Sequence, residues 1–472
     1  MPRLWRYNLQ YFDYLRDPGR SALQKAQLID DWIRRNPPGT ADAWEPYTVS
    51  LRIANWTKYF MSLSAPSNPP LPWLASLWSQ TAWLERNFEY HLLANHLFKN
   101  AKALLFAGSY FEDPAAGEWL HKGAQVLAEQ LVEQFLPDGG HFERSPMYHA
   151  IMVEDLLDLI ALDQATPNVM PAALVAALTR TALRALEWLV DLTLPDGRIA
   201  LFNDAAHGIA VSTQGLLEYA ARLPGSRGLR LRSEGRLIER AQSGYYGWSG
   251  PRDGWLIDCG PVGPDYQPGH AHCDTLSYEL VLDGRRIVID TGVHDYEPGA
   301  RRYRSRSTAS HNTVMVDGAE QSEIWGVFRV ARRARAIEAS LLQEHGTISF
   351  SGAHDGYRRL AGRVVHRRLA EYLPDRSLRV SDRLSGSDRH VMENRIHLAP
   401  GLHIAGQGRS LEIRDPAGGA VVARLDIGEG SDIAIEGGEH YPEFGRTERI
   451  QVVRLRSQGE LPLQQNYTIT RD

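Results

Sequence analysis

Residues 269–280 read GHAHCDTLSYEL, with His270, His272 and Asp274 at alternating positions. In an extended strand, residues i, i+2 and i+4 share one face. The three polar groups would then look toward one place, where they could bind a metal, relay protons or satisfy one another in a polar pocket. Downstream, Asp290 ends the apolar run RRIVID and His311 opens HNTVMV. Together with His272 these could converge from three strand ends, and neutral imidazole plus carboxylate is an ordinary zinc environment. The spacings of 18 and 21 residues carry no short-range signature, so a hydrogen-bonded His–Asp pair stands as the alternative. His270 would sit beside such a metal and face outward.

A second set lies in the first half of the chain. YHLLANHLFKNAK places His91, Asn95 and Asn100 along an expected helix, where an asparagine is either functional or a structural hydrogen-bonder. GGHFERSPMYHA supplies His141, Glu143, Arg144, Tyr148 and His149 directly after a Gly-Gly turn. A loop dense in titratable groups after a rigid helix is a usual place for function, and a solvated surface loop is the plain alternative. Nearby tryptophans (Trp56, Trp73, Trp78, Trp83) could be core or sugar-stacking rings.

These residues must be held by elements with two different periods. Within 20–225, the stretches 74–108, 117–136 and 172–194 repeat apolar residues at three- and four-residue spacing, as amphipathic helices do. LPDG occurs at 136–139 and again at 194–197, each time after an apolar helical run, which suggests an array of helix pairs. Beyond about residue 228 the pattern changes to period two with Gly- and Asp-rich turns: RRIVIDTG, HNTVMVDG, GTISFSG, RSLRVSDRL, VVARLDIG and ERIQVVRL. Many short strands without helices between them predict an antiparallel sandwich. The expected domains are 1–227 and 228–472, with the boundary in RLPGSRGLRLRSEG.

At 472 residues, two domains are the default. The formal net charge is −5 with acids and bases interspersed, so no basic nucleic-acid footprint stands out. Only five of the 52 basic residues are lysines. Two cysteines, Cys259 and Cys273, exclude a disulfide framework and a cysteine zinc cage. The N-terminal stretch has neither the apolar core nor the cleavage site of a signal peptide, and no run reaches membrane-span length. A soluble, cytoplasmic location is the expectation, with non-classical export left open.

Taken together, WRYNLQYFDYL (5–15), WEPYTVSLRIANW (44–56), ANHLFKNAKALLFAG (94–108), GGHFERSPMYH (139–149), LPDGRIALFND (194–204), GHAHCDTLSYEL, IDTG (289–292) and RYRSRSTASHNTVMVDGAEQSEIWG (302–326) resemble the heparinase II/III-like polysaccharide lyases. The strongest marker is the HxHxDxxSxxL block followed by STASHNTV. The resemblance implies an α+β multidomain fold, an incomplete (α/α) toroid followed by an antiparallel β-sandwich. It implies cleavage of uronic-acid polysaccharides by β-elimination. It carries the catalytic roles onto Asn95, Tyr148 and His270, and a structural zinc (or another divalent metal) onto His272, Asp290 and His311, bracing the loop that bears His270.

The chemistry explains those residue types. The C5 proton of a uronate is weakly acidic because the neighbouring carboxylate resists more negative charge. Asn95 would hydrogen-bond that carboxylate without titrating. Tyr148 would protonate the departing O4, and in a syn elimination also remove the proton. His270 is the alternative base for the opposite C5 epimer. Arg52, Arg144, His96 and Trp56 are the expected substrate contacts. Two rivals remain: a hydrolase using Glu143 and Asp204, and a non-catalytic polysaccharide-binding or assembly protein. The expected partner is an acidic polysaccharide, with no nucleic acid and no membrane span.

Overall fold

The computed structural model describes residues 3–63, 68–223, 230, 234–415 and 419–472. The expected boundary at 227/228 lies outside the described residues. The helices are α1 (Arg3–Tyr11), α2 (Ala22–Arg35), α3 (Pro46–Ser62), α4 (Leu71–Arg86), α5 (Ala94–Tyr110), α6 (Pro114–Gln134), α7 (Pro146–Ala165), α8 (Ala172–Asp191), α9 (Thr213–Ala220) and α10 (Ala300–Arg306). Their starts carry local signals. Ser21 and Gln24 form a reciprocal capping box on α2, and the Asp113 side chain accepts from Ala115 N–H at the start of α6. The helical stretch 74–108 divides into α4 and α5, because Leu93 and Ala94 take left-handed φ values of 61° and 54°. His91 therefore lies before the helix, not along it.

The chain forms two compact units that interleave in sequence: Met1–Phe135, Met152–Leu183 and Leu223–Gly225 in one, Leu136–Ile151, Arg184–Arg222 and Ser226–Asp472 in the other. The first is helical. Its α5 buries nearly all of its length, and three of the five lysines, Lys58, Lys99 and Lys102, meet Asp155 and Asp158 inside it.

The second unit contains the strands. β1–β5 (Arg236–Arg240, Tyr245–Ser249, Gly254–Asp258, Tyr278–Leu282, Arg285–Val288) form an antiparallel meander. Next come β6 (Val314–Val316) and the small hairpin β7 (Glu323–Trp325) and β8 (Arg329–Ala331). The strands β9–β12 (Ala336–Glu344, Thr347–His354, Val365–Tyr372, Ser377–Ser385) and β13 (Arg389–His397) follow. Then come β14–β16 (His403–Ala405, Ser410–Arg414, Val421–Ile427) and β17–β19 (Asp432–His440, Glu448–Glu460, Leu463–Arg471). Eight strands make one sheet in the order β14-β15-β16-β19-β12-β11-β10-β9, and four make another, β17-β18-β13-β6. Alternate residues of β11 and β13 are buried, as expected of strands with one covered face. The shared core includes Trp255, Leu280, Phe350, Val380, Leu425 and Ile469.

Both LPDG segments fold as the same turn. Gly139 N–H donates to Leu136 O at 2.9 Å, and Gly197 N–H to Leu194 O at 2.8 Å. Each aspartate accepts from the backbone two residues on (Asp138 from Gly140, Asp196 from Arg198). Both glycines have positive φ, and a Cβ at Gly139 would come within 2.4 Å of Arg184 O. These turns deliver the segments 140–149 and 198–206, the first two walls of the site.

Candidate active site

Residues 269–276 form a loop rather than a strand, with β4 starting only at Tyr278. His270 and His272 nonetheless reach one carboxylate. His270 Nδ1 is 2.9 Å from Asp204 Oδ2, and His272 Nε2 is 2.8 Å from Asp204 Oδ1. Arg302, on α10, closes on the same group with both terminal nitrogens, Nη2 at 2.8 Å from Oδ2. Burial works to raise the Asp204 carboxyl, but Arg302 and the two imidazoles override it and hold it well below the usual range. An ionised Asp204 can only accept, so both histidines donate to it. His270 therefore keeps Nε2 as its second, unprotonated nitrogen when neutral.

The Tyr148 ring stacks on His270, with centroids 3.9 Å apart and planes 28° from parallel. Its hydroxyl lies 3.2 Å from that of Tyr296. Burial, then the Asp204 charge, pushes the Tyr296 phenol well up, so Tyr296 stays protonated. Arg302 lies over the Tyr296 ring at 4.9 Å. Glu143, buried, has Oε2 4.0 Å from His270 Nε2, beyond hydrogen-bond reach.

Three loops meet here because Asn203 ties them. Its backbone N–H donates to Asp274 Oδ2 at 2.8 Å and its Oδ1 accepts from His272 N–H at 3.0 Å. Its Nδ2 donates to Arg144 O at 3.1 Å. Arg144 and Asn203 both have left-handed φ, 56° and 58°, a conformation asparagine tolerates and arginine adopts at a cost of about 1 kcal/mol or more. The Asp204 backbone N–H also donates to His270 O, and Ser145 Oγ to Asp204 O.

Ligand atoms of His272, Asp274 and His311 lie within 4.8 Å of one another, all buried. His272 Nδ1 and His311 Nε2 are buried and have no hydrogen-bond partner. Each ring's other nitrogen is held by a carboxylate, His272 by Asp204 and His311 Nδ1 by Asp290 at 2.7 Å. Carboxylate-oriented imidazoles with bare inner nitrogens suit a divalent cation. Of the two nearby carboxylates, Asp274 groups with the inner nitrogens of His272 and His311, while the expected ligand Asp290 lies against His311 Nδ1. Burial pushes the Asp274 carboxyl up to about 6, a cost that a cation would relieve. Asn312 holds the flanking strands. Its Nδ2 donates to Tyr278 O and Ile289 O, each at 2.8 Å, and its Oδ1 accepts from His397 N–H at 2.8 Å.

Asn95 is buried in the first turn of α5, in the first unit, with Ala94 O accepting from Gln134 Nε2 at 2.8 Å. Asn100 is structural, bonded to Glu89 and Ser50. Two expected substrate contacts are core residues instead. Arg52 is fully buried, gives its guanidinium to Gln80, Ala43 O and Gln10 O, and stacks on Trp32. Trp56 is likewise fully buried, packed against Phe12 and Trp32. Arg144 donates to Phe142 O and Gln242 O and so braces its own loop. His96 remains partly exposed, with Nδ1 2.9 Å from Glu89. His149 is a satisfied core imidazole between His141 N–H and Ala185 O. Sequence reasoning passed over Tyr296, Arg302, Asn203 and Asn312 as individual groups, although the last three sit in the quoted blocks LPDGRIALFND and RYRSRSTASHNTV.

The family model for the heparinase II/III N-terminus matches residues 19–230, and that for the heparinase II/III-like C-terminal region matches 234–468. The chain belongs to the heparinase II/III family. Among family relatives, the heparin-sulfate lyase of Bacteroides thetaiotaomicron is 25% identical over 335 residues, covering 61% of this chain and 47% of that protein. That of Pedobacter heparinus is 26% identical over 317 residues, with the same coverage. The chain thus spans about half the length of the curated lyases it matches. FtsZ-localized protein C of Caulobacter vibrioides is 27% identical over 490 residues, covering 97% of this chain and 80% of that one. A crystal structure of heparinase III superposes with a TM-score of 0.77 at 20% identity, covering 99% of this chain and 76% of that one. The helical region followed by antiparallel sheets is the fold expected from the family, and among the described residues no helix is long and apolar enough to cross a membrane.

Proposed function

We propose that the chain is a polysaccharide lyase that cleaves uronic-acid-containing polysaccharide by β-elimination, leaving a 4,5-unsaturated uronate end. The observation that carries this reading is the stacked Tyr148–His270 pair anchored on Asp204. A phenol and an imidazole with an unprotonated Nε2 supply the acid and the base that elimination needs, within one side chain's reach of each other. Tyr148 delivers a proton to the departing O4. When the C5 proton lies on the same side Tyr148 also takes it; when opposite, His270 Nε2 does. Tyr296, held protonated, donates to the Tyr148 oxygen while that oxygen carries charge. Asn95 is the proposed amide donor to the substrate carboxylate, and His96 and Arg144 are lesser candidates for contact.

His272, His311 and Asp274 would hold a divalent cation, zinc by the nature of the donors, with Asp290 and Asp204 orienting the imidazoles. Bound there, the metal would brace the loop that carries His270. The hydrolase alternative loses support, since Asp204 is fully buried and paired with Arg302. A second reading, a non-catalytic polysaccharide-binding or assembly protein, draws on the likeness to FtsZ-localized protein C along nearly the whole chain.

The test is incubation with a panel of uronate polymers, read as ultraviolet absorbance from the new conjugated double bond. Tyr148→Phe should lower turnover about 10³-fold with folding intact. Cleavage without absorbance would mean hydrolysis. Binding of a polymer without any product would favour the second reading.

A further inference from the structure

A cavity of about 780 Å³ opens elsewhere in the second unit, between the 196–213 segment, the β5 edge, the turn after β13 and the 440–448 segment. Tyr148, His270, Asp204, Tyr296 and Arg302 do not line it. Ala150 does, and being two residues beyond Tyr148 on α7 it points about 200° away round the helix axis. The volume is that of a small-molecule site.

Among the described residues, the walls combine one cation without an ion-pair partner with two imidazoles that each keep a ring nitrogen open. Four arginines and four carboxylates line the space. Three of the arginines are already paired: Arg286 with Asp196, Arg285 with Asp415, and Arg446 with Glu443 and Glu448. Arg198 is exposed, and its guanidinium has no ion-pair partner among the described residues. His440 is 5% exposed; backbone at Thr291 and Asp290 engages its ring, and its Nδ1 has no hydrogen-bond partner. His207, half-buried, makes no ring hydrogen bond among the described residues. Burial, reinforced by neighbouring arginines, keeps both rings neutral, at about 3 for His207 and about 4 for His440. A neutral imidazole offers one donor and one acceptor, the pattern of a sugar hydroxyl. Ile199, Val211 and Leu402 supply apolar surface for a ring face.

Charge selects among anions. With arginines and carboxylates balanced, a single planar carboxylate matches the one free guanidinium fork. A phosphate or sulfate dianion would add a second negative charge beside Asp196 and Glu443 with no further free cation.

We propose that this cavity is a second ligand site, which takes a small polyhydroxylated carboxylate of the uronate class, with Arg198 on the carboxylate and His207 and His440 on hydroxyls. The site is separate from the Tyr148–His270 pair and needs no turnover, so it stands or falls independently of the lyase reading.

The test titrates the full chain with glucuronate, glucose and inorganic sulfate, following binding by calorimetry or ligand-observed NMR. Glucuronate should bind, with glucose and sulfate each at least about tenfold weaker. Arg198→Ala should weaken glucuronate about tenfold, and Val211→Trp, at a half-exposed wall position, should block it. Tyr148→Phe should leave this binding unchanged, and Arg198→Ala should leave any lyase turnover unchanged. Equal binding of sulfate, or glucuronate affinity that survives both Arg198→Ala and Val211→Trp, would overturn the assignment, as would absence of glucuronate binding.

Discussion

Asp204→Asn is the most informative single change in the proposed lyase. The carboxylate accepts four hydrogen bonds, two from Arg302 and one each from His270 and His272. Asparagine keeps the shape but turns one acceptor oxygen into an NH2, so two of the four contacts become donor against donor. It also removes the only charge paired with Arg302 among the described residues, and Arg302 is 1% exposed. Breaking a buried pair on one side costs about 3–5 kcal/mol, so the variant should unfold at markedly lower denaturant concentration. The chemical effect is separate. An amide NH2 toward His270 Nδ1 favours the tautomer protonated on Nε2, which removes the base, and turnover should fall about 10³-fold with KM little changed. The pair of effects can be split with Asp204→Asn/Arg302→Met, which removes the stranded cation. The double variant should recover about 2 kcal/mol of stability but none of the turnover. Turnover of Asp204→Asn within about threefold of the parent, measured on folded protein by ultraviolet absorbance, would refute the tautomer argument.

Asn312→Ala removes the side-chain partner of the Tyr278 and Ile289 carbonyls and of the His397 N–H in a fully buried place. It should cost about 3 kcal/mol or more in chemical unfolding, whereas an effect below about 1 kcal/mol would contradict the hub role. His272→Ala should lower bound zinc, measured by elemental analysis, together with thermal stability. Chelation should destabilise the parent and leave His272→Ala unaffected; zinc retained at full stoichiometry would count against the ligand set. Burial holds His149 down to about 3 against an ordinary value near 6.5, so the unfolded chain binds the extra proton first. Its contribution to stability is complete above about pH 6.5 and lost as pH falls toward 3, about 2 kcal/mol by pH 5. The comparison should be made against His149→Gln, because Glu279, raised to about 7 chiefly by burial, shifts stability the other way over part of that range. A parent and variant whose stabilities fall in parallel from pH 7 to 5 would refute it.

Periodicity and turn chemistry were enough to read the helical first half, the strands beyond it and the paired LPDG turns, because these depend on residues within a few positions of one another. The resemblance of motifs was enough to bring Tyr148 and His270 forward together. What the chain could not disclose alone is what lies across the sheets and loops. His270 and His272 were expected to share a strand face, yet they meet at Asp204 from an irregular loop, because that carboxylate, 66 and 68 residues away, is where their N–H groups find an acceptor. Asp290, the ligand implied by motif, lies against His311 Nδ1, and Asp274, which the motif did not single out as a ligand, stands beside the inner nitrogens of His272 and His311. Arg52 and Trp56 carried the residue types of a sugar-binding wall and went into the core, since burial is decided by which helix faces pack together rather than by side-chain chemistry. Local sequence determined which elements form and which groups are available for chemistry. Only the folded chain decided which of those groups face one another, because distance in space, burial and the choice of hydrogen-bond partner are properties of packing between segments far apart in sequence.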